Sequence, residues 1–428
     1  MPVSDNSSRL LDAMKQSLQS VSGTAFRNVY WTLGLSIALC LLGVAASATE
    51  VHIQDPFLED FVRAEAGRPT GTLLDSDLVS VRRISGNLAT GSLEGLQYCV
   101  NLEYLSLLHS GIRDLEPLRN LTQLQWLLLE DNDISDISAL RNLRSLKVLL
   151  LIDNEITDIA ALAELTALEE LYLQSNHVQD LSPLAGLVCL RILGLGGNSI
   201  SDISALAGLV DLRKLGLSDN SISNIDALEH LVGLTDLELN ENSVLDLSPL
   251  GAATNLQHLS LSGNGIADLA PLAPLKALEF LDVRDNQIVS IDALASLMAL
   301  TTLYVSENCI DNLEPLGELP VLRWLLADSN QIADLTPLCH ILSLHHIRLQ
   351  DNAITDLAAL SNLAELLTLD VQSNSIRSIA PVSDLAQLRS LDVSYNLLDL
   401  SAGSAVWEVL SKLEGRGVDV VLEPQKEL

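Results

Sequence analysis

The hydrophobic positions of this chain repeat every 22 residues, and an asparagine marks the register. Asn132, Asn154, Asn176, Asn198, Asn220, Asn242, Asn264, Asn286, Asn308, Asn330, Asn352, Asn374 and Asn396 follow one another without a missed step. One period earlier stands Ser110, which marks a degenerate unit. Eight residues before each of these positions is a leucine, from Leu102 to Leu388. Five before is leucine, or Ile347 once, and three before is Leu, Val or Ala. The unit LQWLLLEDNDISDISALRNLRS, which contains Asn132, reads as LxxLxLxxNxIxDIxxLxxL.

Each unit predicts the same elements. The alternation around LxL is a short strand with both leucines pointing inward. Neighbouring strands pair in parallel, and each unit covers the apolar face of the last. The asparagine turns the chain out of the strand, and its amide can bond backbone groups of its own turn and of adjacent coils. Asp or Asn follows four residues later in most units, with exceptions at Ser290, Ser378 and Leu400. Hydrogen bonding to the backbone of the turn explains that column better than calcium does. Pro or Ala at the seventh position, as at Pro183, Pro249 and Pro337, is where a tight helical turn can begin.

These residues resemble the leucine-rich-repeat superfamily, in particular the 22-residue, internalin-like class of bacterial surface proteins. The resemblance covers roughly residues 78 to 400. It implies an α/β-type solenoid: a curved horseshoe with a parallel β-sheet on the concave face and short 3-10 turns on the convex face. It also implies protein–protein recognition as the usual role, without naming a ligand. The wall-anchoring signature of internalins, an LPxTG-like motif, is not seen, nor is a C-terminal membrane span.

The expected organisation is a leader or anchor at 1–48, a helical cap at 49–77, repeats at 78–400 and a C-terminal cap at 401–428. The repeats comprise about 14 full units and a partial one through Leu93, Leu96 and Cys99. Solenoids need such caps because the end coils would otherwise expose their cores. In the first cap, Phe57, Leu58, Phe61 and Val62 are expected to cover the first coil, with Pro56 near the first helical turn. In the second, Val406, Trp407, Leu410 and Leu413 fall at helical spacing, and Val418 to Leu422 reads as a closing strand.

Trp31 to Ala48 is an uncharged apolar run, preceded by Lys15 and Arg27, and Ala46-Ser47-Ala48 supplies an A-x-A cleavage pattern. That is the layout of a secretory signal peptide, and Met14 as the start would give it a more usual length. An uncleaved anchor is the alternative, since eighteen apolar residues reach the lower edge of a membrane span. Either way the repeats are exported, to the medium, the periplasm or the cell surface. Membrane contact is expected only through an uncleaved segment. Cys40 lies in this run. Cys99, Cys189, Cys309 and Cys339 show no metal-finger spacing and are expected to be free, mostly structural thiols.

Composition narrows the partner. A formal charge of -32 repels phosphate backbones and anionic lipid, so nucleic acid is excluded as a partner class. Only 3% of the chain is aromatic, so the place of each aromatic residue is informative. Six of the seven between residues 101 and 400 lie six or four before an asparagine, in columns that face solvent on the concave sheet. Exposed aromatics on a rigid sheet serve as interface anchors. One expected partner site gathers Tyr104, Trp126, Leu128, Val148, Leu150, Ile152, Tyr172 and Ile192 on five consecutive strands. A patch that apolar normally marks a contact. Self-association and cover by a cap segment are the other readings. A second site gathers Phe280, Tyr304, Trp324, Leu326, His346 and Arg348, with Asp370 and Asp392 in the column of Arg348. Between the two, Gly194, Gly196, Gly197 and Gly216 strip side chains from the concave face.

No chemistry-bearing motif competes with this reading. Cys339, His340, His345 and His346 are the densest set of metal-ligand residues, but the register puts His340 on the convex side and His346 on the concave side. No metal, cofactor or catalytic residue is expected. The concave carboxylates Glu238, Asp282, Asp370 and Asp392 are spread over many strands, whereas a glycosidase needs a close acid and base. The expectation is a non-enzymatic scaffold that binds a protein partner through its concave face. A carbohydrate- or envelope-binding module, or a purely structural surface protein, is the alternative.

Overall fold

The computed structural model describes residues 48–426. The leader or anchor read at 1–48 lies outside the described residues except for Ala48, as does Cys40. The chain divides into two units, residues 1–50 with 74–76 and residues 51–73 with 77–428. In the described part of the first, Glu50 forms an antiparallel bridge with Leu74, and the Asp75 N–H donates to the Thr49 carbonyl at 3.0 Å.

In the second unit, sixteen parallel strands pair in strict sequence order in one open sheet, from β1 (Arg83–Gly86) to β16 (Asp419–Val421). Each strand is one repeat from the next: Trp126 on β3 (Trp126–Leu128) lies opposite Val148 on β4 (Val148–Leu150). Each coil between β1 and β15 returns through a 3-10 turn, such as Ser182–Leu184, where Pro183 sits in the first turn. This is the leucine-rich-repeat solenoid that the period predicts. The core is a column of aliphatic side chains. Leu124, Leu127 and Leu129 are fully buried, and their equivalents along the chain are buried as well. Burial of this kind stabilises by about 2 kcal/mol per leucine.

The asparagine column performs the expected backbone bonding. Asn176 Nδ2 donates to the carbonyls of Leu173 and Gln174 in its own turn and of Leu151 in the preceding coil. Its Oδ1 accepts from the Ile156 N–H at 2.9 Å. The column four residues later holds the 3-10 turns. Asp136 Oδ1 accepts from the Ser138 N–H at 2.8 Å, and the serine hydroxyls take that place at Ser290 and Ser378. Where Leu400 breaks the pattern, Asp399 accepts from Ser401 instead.

One backbone feature is not written in the hydrophobic pattern. The residue before each ladder position is left-handed, as at Asp131 (φ 52°), Asp219 (φ 55°) and Tyr395 (φ 53°). Most residue types resist this conformation by roughly 1–2 kcal/mol. Gly197 occupies that position with φ 66°. It is therefore a turn residue and not part of the concave gap in which the sequence reading placed it.

At the N-terminal end, helix α1 (Pro56–Ala66) buries Leu58 and Val62 completely. Phe61 lies so close to Gly86 of β1 that an added methyl there would overlap its ring. Phe57, expected inside, is 51% exposed. At the other end, helix α2 (Ala405–Glu414) buries Val406, Leu410 and Leu413. Trp407 turns outward, its indole N–H donating to the carbonyls of Leu400 and Ser401. Its N–H finds no acceptor in an aliphatic core, so the ring stays at the rim. Among the described residues no helix is long and apolar enough to cross a membrane.

The four described cysteines are free, as expected, but only Cys99 is buried. Cys189 and Cys309 are exposed, which corrects the expectation of mostly structural thiols. Burial pushes the Cys99 thiol up to about 12. A small thiol reagent at neutral pH is expected to modify Cys189 and Cys309 in the native protein and Cys99 only after unfolding. Peptide mass mapping checks this.

Candidate functional site

The period-2 geometry of the strands sends alternate side chains to the concave surface, so the site is a face and not a cleft. A furrow of about 700 Å³ lies elsewhere, over the 3-10 turns beside Glu314, Cys339 and His340.

The structure brings the first predicted group together. Tyr104 on β2 (Tyr104–Leu107) pairs with Trp126, and Leu128 with Leu150. Leu150 pairs in turn with Tyr172 on β5 (Glu170–Tyr172). Ile152 lies just beyond β4, and Ile192 is on the strand after β5, opposite Glu170. All eight residues are half-buried, because each shields the next. Two polar neighbours were missed. The Arg83 guanidinium sits 4.1 Å from the Tyr104 ring centroid. Arg83 pairs with Tyr104 from outside the 22-residue ladder, so the register gave no sign of it. Glu170 accepts the Tyr172 hydroxyl proton at 3.0 Å. Burial and that carboxylate push the Tyr172 hydroxyl up to about 12.

The second group is also contiguous. Phe280 on β10 (Phe280–Asp282) meets Tyr304 on β11 (Thr302–Tyr304) edge to face at 5.3 Å. Trp324 on β12 (Trp324–Leu326) stacks on His346 of β13 (His346–Arg348), with centroids 3.6 Å apart and planes 18° apart. Thr368 on β14 (Thr368–Asp370) fixes the histidine through a 2.8 Å bond at Nδ1. Burial, and then His345, lower the His346 pKa. Trp324 remains 41% exposed, the most open aromatic of the concave face. Leu326 beside it is half-buried.

The charged groups here are arranged differently from the column reading. Arg348 lies 3.8 Å from Asp370, as the column suggests, but 3.1 Å from Asp328 on the preceding coil. Asp282 is almost fully buried and is held bidentately by Arg284, whose guanidinium also lies 5.3 Å from the Tyr304 ring. Asp328 and Arg284 both stand two before an asparagine, in a concave column that holds no aromatic residue. Asp370 and Asp392 are not spread apart: they face one another on β14 and β15 (Ser390–Asp392). His340 and His346 fall on opposite faces, the first beside the convex furrow and the second on the sheet.

Between the two groups, Gly194 and Gly216 pair on β6 (Ile192–Gly194) and β7 (Lys214–Gly216). The space above Gly194 is not vacant. The Gln174 side chain lies where a Gly194 methyl would be.

The comparisons agree with this architecture. A family model described as leucine-rich repeats (2 copies) matches residues 166–208, 254–296 and 276–318. No curated protein sequence matches the chain. An internalin of Listeria monocytogenes is similar at 27% identity and a TM-score of 0.64, over 90% of this chain and 100% of that one. A leucine-rich-repeat protein of Leptospira interrogans is similar at 23% identity and a TM-score of 0.75, over 80% and 90%. The functional domain of a second Listeria monocytogenes internalin, which includes a cysteine ladder, is similar at 21% identity and a TM-score of 0.63, over 82% and 78%. With the unbroken asparagine ladder and the sixteen-stranded parallel sheet, these likenesses show the leucine-rich-repeat solenoid fold, and the chain is similar to bacterial, internalin-like proteins that have it.

Proposed function

We propose that this protein is an exported scaffold that binds a protein partner on its concave face. The observation that carries the reading is the apolar surface around Trp126 on consecutive strands of a rigid sheet. Core packing does not ask for Trp, Tyr, Val and Ile on the water-facing side, and a continuous apolar patch there is a contact surface. A broad face suits a macromolecule better than a small ligand, which prefers an enclosed cavity. Leucine-rich-repeat scaffolds commonly mediate protein–protein interaction and are typically non-enzymatic. Export is supported by the leader-like layout of residues 1–48 and by the likeness to internalins.

Trp126→Ala and Trp324→Ala are expected to leave the fold intact, since neither side chain lies in the leucine core. Each is expected to weaken binding of a partner captured from the native cell surface by about 2 kcal/mol, roughly thirty-fold in Kd. Surface plasmon resonance on the full chain measures this, with circular dichroism as the fold control. Unchanged affinity in both variants would sink the concave-face reading. Recovery of specific sugars on a glycan array, with no captured protein, would favour the carbohydrate alternative.

A further inference from the structure

The two ends of the concave face differ in chemistry. Around Trp126 the face is apolar. Around Trp324 it is aromatic and carries more carboxylate than cation. Asp328, Asp370 and Asp392 stand there against Arg348, and Arg348 lies closer to Asp328 than to Asp370. Among the described residues no cation pairs with Asp392, whose bonds run to the N–H and hydroxyl of its own neighbour Ser394. Parallel strands lie about 4.8 Å apart, so Asp370 and Asp392 hold like charges side by side. Burial raises the Asp370 pKa. The Gln372 N–H lowers it, Asp392 and Asp328 raise it further, and Arg348 only partly offsets them. Charge left uncompensated at a half-buried place marks functional surface more often than scaffold.

Resting on the concave-face reading above, we propose that the sheet across β12–β15 seats a lysine- or arginine-bearing segment of the partner protein. The cation takes the place beside Asp370 and Asp392, and its aliphatic stem lies along Trp324. Long basic side chains are built for this double contact, apolar along the stem and charged at the tip. Stacking on His346 and the Thr368 bond behind it hold Trp324 ready, so little ordering is lost on binding. A metal ion is a poorer occupant, since among the described residues no three ligand side chains converge. An anionic or phosphorylated segment is repelled here, and the charge of -32 steers cationic segments toward the chain from a distance.

The test uses the full chain and fluorescein-labelled tetralysine, with tetraglutamine as the neutral control, read by fluorescence anisotropy. Tetralysine is expected to bind and tetraglutamine is not. The double variant Asp370→Asn with Asp392→Asn is expected to weaken tetralysine binding roughly tenfold, and Trp324→Ala to weaken it as well. Glu314→Gln with Glu318→Gln, on the convex furrow, is expected to leave it unchanged. Raising the salt from about 0.01 M to about 1 M, which cuts the screening length from ~30 Å to ~3 Å, should abolish binding. Equal losses from the concave and convex pairs would overturn the proposal, because binding would then follow bulk charge. No loss in the Asp370/Asp392 pair would overturn it too. If Trp126→Ala impairs capture of the native partner while the Asp370/Asp392 pair does not, the cation seat fails and the concave-face reading stands. If none of these variants affects the native partner, both fail.

Discussion

Asn176→Ala is expected to destabilise the solenoid by about 3 kcal/mol, read as a lower denaturant midpoint by circular dichroism. The side chain is 4% exposed, and its four bonds all go to backbone. Removing it leaves the carbonyls of Leu151, Leu173 and Gln174 and the Ile156 N–H to find water in a place that admits little. Each buried group left without a partner costs about 1–3 kcal/mol, and local relaxation recovers part of the sum. Asn176→Asp separates this account from simple loss of packing. The carboxylate has nearly the same shape and keeps the acceptor for Ile156, but it replaces the NH2 group and its two donors with an oxygen that faces three carbonyls. It is expected to cost at least as much as alanine at neutral pH. If Asp is tolerated and Ala is not, volume rather than hydrogen bonding explains the column. Each coil contacts only its neighbours, so hydrogen exchange should quicken first in the coils flanking Asn176 and less toward the ends.

That same column is why so much of the fold was legible in the sequence. A step of 22 residues that never slips assigns a face to every residue between Leu102 and Asn396, and with it the strand register and the two concave groups. The errors fall where information is not periodic. Gly197 looked like an absent side chain, although its role is a left-handed backbone angle that Asp and Ser adopt at the same place in other coils. Arg348 does reach Asp370 in its own column, but its long guanidinium arm also reaches the adjacent column and finds Asp328, which a single column does not reveal. Cys189 and Cys309 lie off the leucine positions, and the repeat does not demand burial there. The ends were read by helical spacing alone, which marks an apolar stripe without saying which of its members meets the core. Phe57 and Trp407 ended outside for that reason.

The residue that joins the N-terminal end was invisible for a further reason, since its partners are about 35 residues away in sequence. Asp55→Ala is expected to release α1 from the first coil, at a cost of about 3–5 kcal/mol. The Asp55 carboxylate is fully buried and caps α1 by accepting from the N–H groups of Phe57 and Leu58, each at 3.0 Å. Its other oxygen accepts from the N–H groups of Ala89 and Thr90 and from the Thr90 hydroxyl. One side chain thus ties a helix end to the loop that follows β1. Burial acts to raise the Asp55 pKa, but the bonds from Leu58, Thr90 and Phe57 outweigh it and hold the carboxyl below its usual range. A carboxyl lowered in the folded state contributes its stability above the unfolded pKa, about 3.9, and loses it as pH falls through the folded value. The native protein should therefore lose protection of the α1 amides in acid, below pH ~4, before the central coils respond. Asp55→Asn keeps one acceptor but turns an amide toward N–H donors. It should show weakened α1 protection already at neutral pH, without the acid step. Hydrogen exchange followed by mass spectrometry over residues 55–66 and 87–92 reads both effects. An acid step that persists unchanged in Asp55→Asn would assign the titration to another carboxyl and remove Asp55 from this role.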